Sequence, residues 1–170
     1  IIMERMGIKI ISFDLDGTLS REEYDHLLWN ELLPQLYAKR HEISLEKAKS
    51  FVYTEYNELW DVTGKEWFDI NFWIYRYDLH FSSEDILNMI RDKISHFEDA
   101  PETLKRLTEK GFTLIIISSA GKDLIKEKLN VGDLKQHFTR AISIADDFDS
   151  KNKSSDIYAQ IARRLEVEPE

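Results

Sequence analysis

The sequence contains no cysteine, so it can form no disulfide bond and cannot use a thiol nucleophile. It also has no apolar run that approaches the roughly 20 residues of a membrane-spanning helix. Positive charge is scarce, since 23 lysines and arginines stand against 32 acids and give a net charge of −9. A general nucleic-acid-binding protein needs a basic face, and we therefore expect neither a nucleic-acid nor a membrane partner.

The composition that remains is typical of a soluble globular protein, with 42% hydrophobic and 32% charged residues. The 170 residues are enough for one full core, or for a core domain with a modest insertion. The first residues are too few and too charged to form a signal peptide, and we expect a cytoplasmic protein. Nothing in the sequence indicates the oligomeric state.

The most informative stretch covers residues 8–20 and reads IKIISFDLDGTLS. Its mostly apolar, β-branched beginning predicts a buried strand over residues 8–13. Asp14 and Asp16 follow at the carboxyl end of this strand, where ligands bind in α/β sheets. Two carboxylates this close repel each other unless a cation lies between them or one holds a proton, and Mg²⁺ favours such oxygen ligands. A plain Asp-Gly turn is the alternative, but the buried strand before the acids and Thr18 after them favour a functional site.

The segment FDLDGTL resembles the first motif of the haloacid dehalogenase-like superfamily, most of whose members are magnesium-dependent phosphatases. The resemblance implies that Asp14 is the nucleophile and Asp16 the general acid and base, and that both belong to the Mg²⁺ site. It also assigns Thr18 to the phosphate-binding set, where Thr18 would help to position Asp16. Dehalogenases of the superfamily lack the second acid, so Asp16 favours phosphoryl chemistry over carbon–halogen cleavage.

The rest of the chain divides into two parts by its hydrophobic periodicity. Residues 21–97 predict three or four amphipathic helices without a convincing strand, whereas later residues alternate helices with strands at 112–117 and 139–145. We therefore predict an α/β fold with a Rossmann-like parallel sheet core, residues 1–20 and 98–170, and an inserted helical-bundle cap, residues 21–97. Superfamily members with a cap inserted after the first motif have the same order of elements. By this resemblance the cap closes over the nucleophile and excludes water.

Two further motifs of the superfamily are expected at the ends of the later strands. Ser118 ends the second strand, where its hydroxyl and the next backbone amides would bind a phosphoryl oxygen, and it is preferred to Ser119. The alternative is that Ser118 only caps the following helix. A lysine that neutralises the phosphoryl charge is expected after the third strand, with Lys153 as the first choice and Lys151 as the second. The alternative is that both are solvated loop lysines.

The acids that complete the magnesium site in the superfamily are missing from the sequence, and we expect the chain to be truncated at its C-terminus. Asp146 and Asp147 are interpreted as loop acids, with completion of the metal site as the alternative. The resemblance predicts a Mg²⁺-dependent phosphatase for a small phosphorylated metabolite, acting through an aspartyl-phosphate. A phosphomutase of the same family, or a non-catalytic binding protein that keeps the fold, is the alternative.

The predicted cap contains aromatic and basic residues whose role the sequence does not decide. Its tryptophans either line a substrate pocket or form core, as aromatic residues at helical spacing more often do: Trp29, Trp60, Trp67 and Trp73. Candidate substrate anchors are Arg21, Lys65 and Arg76. The histidines show no metal-ligand spacing, and none is assigned a role.

Overall fold

The computed structural model describes residues 10–62 and 65–167 of the chain. Its sheet consists of three parallel strands in the order β1-β2-β3, with the bounds Ile10–Phe13 (β1), Thr113–Ser118 (β2) and Phe138–Ser143 (β3). Ile10 pairs with Thr113, and Ser118 pairs with Ser143, so the carboxyl ends of the strands lie along one edge. The parallel sheet and its many helices confirm the predicted α/β fold class. Ile8 and Lys9, which belong to the first predicted strand, lie outside the described residues.

Helices fill the chain between β1 and β2. They are α1 (Glu23–Leu27), a π-helical segment (Leu28–Leu32), α2 (Leu33–His41), α3 (Leu45–Val62), α4 (Ile70–Arg76), α5 (Ser83–Met89) and α6 (Ala100–Glu109). Two 3₁₀ turns cover Glu66–Phe68 and Arg91–Lys93. The later part contains α7 (Lys122–Asn130), a 3₁₀ turn (Leu134–His137), α8 (Ile144–Phe148) and α9 (Ser155–Leu165). Within the described ranges, no helix is both long enough and apolar enough to cross a membrane.

Helix starts follow the capping signals of the sequence. The Ser82 hydroxyl accepts a hydrogen bond from the Asp85 backbone N–H at 3.1 Å, and the Asp85 carboxylate accepts one from the Ser82 N–H at 3.0 Å. This reciprocal pair is a capping box at the start of α5. Ser154 caps α9 in a similar way, because its hydroxyl accepts from the Ile157 N–H at 3.3 Å.

The central strand β2 supplies side chains to two apolar clusters. Leu114 and Ile116 belong to the larger cluster, which continues into helices α1 to α6. Ile115 and Ile117 belong to a smaller cluster on the other face, together with residues of α8 and α9. This alternation follows from the two-residue period of a strand, and it leaves both faces of the sheet covered. Since the larger cluster runs from the sheet into the helices, the boundaries between core and cap stay a prediction.

The third strand is shorter than predicted. The sequence predicts a strand over residues 139–145, but β3 ends at Ser143 and the next residues form α8. The Ser143 hydroxyl accepts from the Asp146 N–H at 3.0 Å, and the Asp147 carboxylate accepts from the Ser143 N–H at 3.0 Å. Acids in the first helical turn are also favoured by the helix dipole. The interpretation of Asp146 and Asp147 as loop acids is therefore wrong, because both lie in a helical turn.

Candidate active site

The carboxyl ends of β1 and β2 border a cavity of about 410 Å³. Residues that are distant in the sequence meet on its wall, namely Asp14 and Asp16 after β1, Ser118 and Ser119 at the end of β2, and Lys153 before α9. Helical segments complete the wall with a second group of residues: Glu22, Asp25, His26, Trp29, Asn30, Trp67, Phe68 and Leu124. The fold thus gathers most of the predicted site residues around one space of small-molecule size. The roles assigned to these residues stay predictions.

Asp14 lies on the accessible side of the cavity. Its Oδ1 accepts a hydrogen bond from the Leu15 N–H at 2.8 Å, and its Oδ2 lies 2.6 Å from the Lys153 ammonium. The Asp14 side chain remains 43% exposed, so this carboxylate is open to a ligand. Lys153 is therefore placed beside the predicted nucleophile, as the first of the two lysine alternatives requires.

Lys151 points to another part of the molecule. Its ammonium donates a hydrogen bond to the Trp60 carbonyl at 2.5 Å and lies 5.1 Å from the Trp60 ring centre. It does not line the cavity. Of the two candidates, only Lys153 reaches the space that Asp14 borders.

The turn after Asp16 depends on a glycine. Gly17 has φ +70°, in the left-handed region, and its N–H donates to the Ser20 carbonyl at 2.8 Å. A Cβ at this position would lie 3.0 Å from Glu22 Oε1, which leaves little room for a side chain. Thr18 follows in the turn, where it is exposed and does not line the cavity. Its membership of the phosphate-binding set stays a prediction.

The loop after β2 combines a buried hydroxyl with a very close backbone contact. Ser118 is fully buried, and its Oγ accepts from the Ala120 N–H at 3.1 Å and lies 3.4 Å from Asp16 Oδ2. Ser119 is half-buried on the cavity wall. A Cβ at Gly121 would lie 2.9 Å from the Phe68 carbonyl oxygen, so the 3₁₀ turn of Phe68 packs directly against this loop. Only glycine allows that approach.

A buried lysine that was not predicted to belong to the site contacts Asp16. Lys128 in α7 is fully buried, and its ammonium donates to both oxygens of Asp25 at 2.6 Å and to Oδ1 of Asp16. A signal for this residue exists in the sequence, because Lys128 lies four residues after Leu124 and three after Ile125, on the apolar face of α7. A charged residue at such a position indicates a buried partner of opposite charge.

Asp25 is an acid on the cavity wall whose pKa is raised. Burial raises its pKa to about 6, against the opposing effect of the Lys128 charge and hydrogen bond, which lower it. Nearby Asp16 and Glu22 raise it further through their charges. Desolvation is thus the dominant cause, and the pair with Lys128 offsets only part of it.

The residues present are compatible with a magnesium ion. Within residues 10–62 and 65–167, no group of three or more acids or histidines is arranged to hold a metal. Mg²⁺ usually keeps several waters and needs only one or two carboxylates beside substrate phosphate oxygens. The Asp14 carboxylate is accessible for this purpose, whereas the Asp16 side chain is engaged by Lys128. If Asp16 contributes its backbone carbonyl, as the resemblance implies, Asp14 and Asp16 fit the ion without their side chains sharing it.

Asp146 and Asp147 are engaged elsewhere. Asp146 accepts a hydrogen bond from the Lys122 N–H at 2.6 Å, and Asp147 forms an ion pair with the Lys122 ammonium at 2.5 Å. Neither residue lines the cavity. The alternative in which one of them completes the metal site therefore has no support in this geometry.

The tryptophans of the helical region divide between the cavity and the core. Trp29 and Trp67 line the cavity, with ring centres 5.7 Å apart, whereas Trp73 is completely buried in the larger cluster. Trp60 is 42% exposed and packs edge-on against Trp67. Trp73 is thus core, whereas Trp29 and Trp67 both line the cavity and pack in the larger cluster, and their contact with a substrate stays a prediction.

The three candidate substrate anchors lie away from the cavity wall. Lys65 forms an ion pair with Asp149 at 3.1 Å, and Arg76 forms one with Glu55. The Arg21 guanidinium lies 4.9 Å from the centre of the Phe97 ring. Each cation therefore already has a partner of its own.

A parallel sheet with two aspartates at its carboxyl edge places the chain among α/β proteins that bind ligands at this edge. The family model for haloacid dehalogenase-like hydrolases matches residues 8–170. The chain belongs to the haloacid dehalogenase-like hydrolases, which confirms the resemblance of the first motif. A search of curated proteins returns no match.

Solved structures of this family share the fold. A HAD phosphatase from Thermococcus onnurineus is 29% identical, with a TM-score of 0.77, over 96% of this chain and 74% of that chain. A putative beta-phosphoglucomutase from Thermotoga maritima is 18% identical, with a TM-score of 0.55, over 96% and 73%. An L-2-haloacid dehalogenase from Xanthobacter autotrophicus is 16% identical, with a TM-score of 0.55, over 96% and 67%. The last two likenesses show the fold alone.

Proposed function

We propose that the protein is a magnesium-dependent phosphatase that hydrolyses small phosphomonoesters through an aspartyl-phosphate intermediate. The observation that carries the proposal is the pair Asp14 and Asp16, whose carboxylates both line the cavity, Asp14 beside Lys153 and Asp16 in contact with Lys128. An accessible carboxylate next to the Lys153 cation suits attack on a phosphorus atom. The presence of Asp16 supports phosphoryl chemistry, because the superfamily resemblance implies this second acid in phosphatases and its absence in dehalogenases.

Each carboxyl group has a defined part in the proposed reaction. A carboxylate oxygen of Asp14 forms a bond to phosphorus, and the bond between phosphorus and the ester oxygen breaks with its electron pair on that oxygen. Asp16 gives a proton to the departing oxygen. In the second half, the oxygen of a water attacks phosphorus while Asp16 takes a proton from it. The Asp14–phosphorus bond then breaks, which releases inorganic phosphate and restores both aspartates.

Charge at the phosphoryl group is balanced by Lys153 and by the metal. Among the described residues of the cavity wall, Lys153 is the basic side chain next to Asp14. Bound Mg²⁺, held by the Asp14 side chain and the Asp16 carbonyl, would supply positive charge between the nucleophile and the phosphoryl oxygens. Ser118 and Ser119 at the end of β2 would orient the phosphoryl oxygens with their hydroxyl groups.

The substrate is proposed to be a small phosphorylated metabolite. A cavity of about 410 Å³ lies near the lower end of the range for small-molecule pockets. Trp29, Trp67 and Phe68 would contact the leaving group from the helical side. The predicted cap, residues 21–97, would thereby set substrate choice and exclude water.

The test is phosphate release by the purified protein from p-nitrophenyl phosphate and glycerol phosphate, with Mg²⁺ and after chelation. We expect Mg²⁺-dependent release and a protein-bound phosphoryl group that forms in a rapid quench. Halide release from 2-chloropropionate without phosphate release would overturn the proposal in favour of a dehalogenase. Ligand binding without turnover of either phosphate ester would overturn it in favour of a binding protein.

A further inference from the structure

Helix α7 contains a lysine where its pattern calls for an apolar residue. Lys128 is fully buried, with its ammonium 5.6 Å from the centre of the Tyr24 ring. Burying an ammonium group is unfavourable unless opposite charges and hydrogen bonds surround it. A methionine or leucine would fill this position without that cost. The presence of the charge therefore calls for a reason beyond packing.

Two carboxylates from different parts of the chain surround the Lys128 ammonium. Asp25 in α1 accepts with both of its oxygens at 2.6 Å, and Asp16 from the first motif accepts with Oδ1. The bidentate contact to Asp25 fixes where the ammonium lies, because it uses both carboxylate oxygens. The contact to Asp16 then fixes the rotation of that carboxyl group.

The contacts make the two oxygens of Asp16 unequal. Oδ1 is occupied by Lys128, whereas the described part of the chain offers Oδ2 only the Ser118 hydroxyl at 3.4 Å. Asp16 lines the cavity, so Oδ2 is the oxygen that remains for exchange with a bound molecule. We propose that Lys128 and Asp25 form a positioning pair that orients Asp16, so that Oδ2 exchanges the proton with the leaving group. The inference rests on the phosphatase function proposed above.

The pair acts through Asp16 and takes no part in bond making. When the ester bond breaks, the proton moves from Oδ2 to the departing oxygen, while Oδ1 keeps its hydrogen bond to the ammonium. When water attacks the intermediate, Oδ2 takes one of the water's protons. Lys128 and Asp25 keep their hydrogen bonds to each other in both halves and exchange no proton with the substrate.

The decisive readout is how much the reaction depends on the leaving group. Glycerol phosphate has a poor leaving group that needs a proton, whereas p-nitrophenyl phosphate leaves readily without one. We expect Lys128→Met to lower kcat on glycerol phosphate by about 100-fold, as loss of general acid catalysis does. With p-nitrophenyl phosphate, the rate constant for formation of the phosphorylated protein should fall by less than about fivefold in this variant. The KM values should change little, because Lys128 does not line the cavity.

Matched controls separate this role from general damage. Lys126→Met changes an exposed lysine two positions earlier on the same helix and should leave the ratio of the two rates unchanged. Asp25→Asn should shift the ratio in the same direction as Lys128→Met but by less, while exposed Glu23→Gln in the same helix should not. In the double variant, the effects of Lys128→Met and Asp25→Asn should not add, because the two residues act as a unit.

The result that overturns the inference is an equal fall on both substrates, or an unchanged ratio, in a folded variant. If Lys128→Met does not fold, Asp25→Asn decides the question by the same ratio. A wild-type protein that hydrolyses neither ester overturns the proposed function and this inference with it. An active wild type with a uniform loss in the variants overturns the inference alone.

Discussion

The two aspartates of the first motif lie two residues apart and line the same cavity, and yet they have different cationic partners. The side chain of Asp14 is 43% accessible, and that of its partner Lys153 is 21% accessible. The side chain of Asp16 is 29% accessible, but its partner Lys128 is completely buried. The difference teaches that one half of the site is built for access and the other for orientation. A nucleophile must meet the substrate, whereas a general acid must present a proton in one direction.

The most severe way to break this comparison is to remove the open carboxylate. Asp14→Asn should lower turnover by about 10⁴-fold or more, as loss of an enzyme nucleophile does, because an amide does not attack phosphorus. The measurement is the steady-state rate on p-nitrophenyl phosphate. Asp156→Asn, at an exposed acid in the first turn of α9, is the control and should be fully active. Comparable rates for Asp14→Asn and the wild type would contradict the assignment.

Removing the held carboxylate should leave part of the reaction intact. Asp16→Asn should lower kcat on glycerol phosphate by about 10²- to 10³-fold, which is the usual contribution of general acid–base catalysis. With p-nitrophenyl phosphate the first half-reaction should survive, and a phosphorylated protein should accumulate because no base activates the water. Acid quench followed by intact-protein mass spectrometry would detect it. The absence of any phosphoprotein, together with unchanged hydrolysis, would remove Asp16 from the mechanism.

The two lysines should differ in what they contribute to stability. Lys128→Met should lower the free energy of unfolding by about 3 kcal/mol, because it leaves the two half-buried carboxylates of Asp16 and Asp25 without their shared cation. Lys153→Met should change it by less than about 1 kcal/mol, as partly exposed ion pairs contribute little. Urea denaturation followed by circular dichroism measures both values. Equal destabilisation by the two substitutions would show that Lys128 and Lys153 do not differ in their contribution to stability.

The side of the site formed by Asp16, Lys128 and Asp25 should also make the stability of the protein depend on pH. The pKa of Asp25 is raised by burial from 3.8 to about 6, so the folded protein binds this proton more tightly than the unfolded chain. Asp25 therefore contributes stability that is present below about pH 4 and is lost as the pH rises through about 6. Relative to Asp25→Asn, the wild type should lose about 2 kcal/mol between these values. Denaturation of both proteins at a series of pH values gives their free energies of unfolding. If the pKa of Asp25 is not raised, the two free energies should depend on pH in the same way.

The smallest expected effect concerns phosphate binding on the side of the site formed by Asp14 and Lys153. Lys153→Ala should weaken inhibition by inorganic phosphate about tenfold, because one charge-assisted contact is lost. Lys151→Ala should leave inhibition unchanged, since the Lys151 ammonium bonds to the Trp60 carbonyl away from the cavity. Competition assays with inorganic phosphate compare the two variants. A larger effect at Lys151 would mean that the loop before α9 adopts another arrangement when phosphate binds.

Short-range patterns explain what could be predicted from the sequence. The strand before Asp14 and the capping pair of Ser82 and Asp85 depend on neighbouring residues, and the structure contains both. The prediction that this strand is buried is wrong for the described residues 10–13, because β1 lies at an edge of the sheet, with its apolar side chains half-buried and Ser12 exposed. The family follows from FDLDGTL for the same reason. The end of β3 was not predictable from apolar character, because Ile144 and Ala145 suit a buried helix as well as a strand. Ser143, with acids three and four residues later, was the capping signal that decides the matter.

Long-range contacts explain what the sequence did not reveal. Lys128 and Asp25 are more than a hundred residues apart, and no local sequence pattern around either residue indicates that the two are partners. The periodicity of α7 shows only that Lys128 falls on an apolar face. Its partners become known when α1 and α7 are placed beside the first motif. The same limit applies to Lys151, which its sequence position does not distinguish from Lys153.

The aromatic rings around the cavity also have an optical consequence. Trp29 and Trp67 stand on the cavity wall, and Trp60 packs against Trp67 with ring centres 5.5 Å apart. Trp73 is completely buried and does not line the cavity, so a bound molecule would not replace water beside it. Indole emission shifts with the polarity of its surroundings, and a bound molecule replaces water next to two of the four tryptophans. The protein thus contains its own fluorescent reporter of occupancy, with Trp73 as an internal reference.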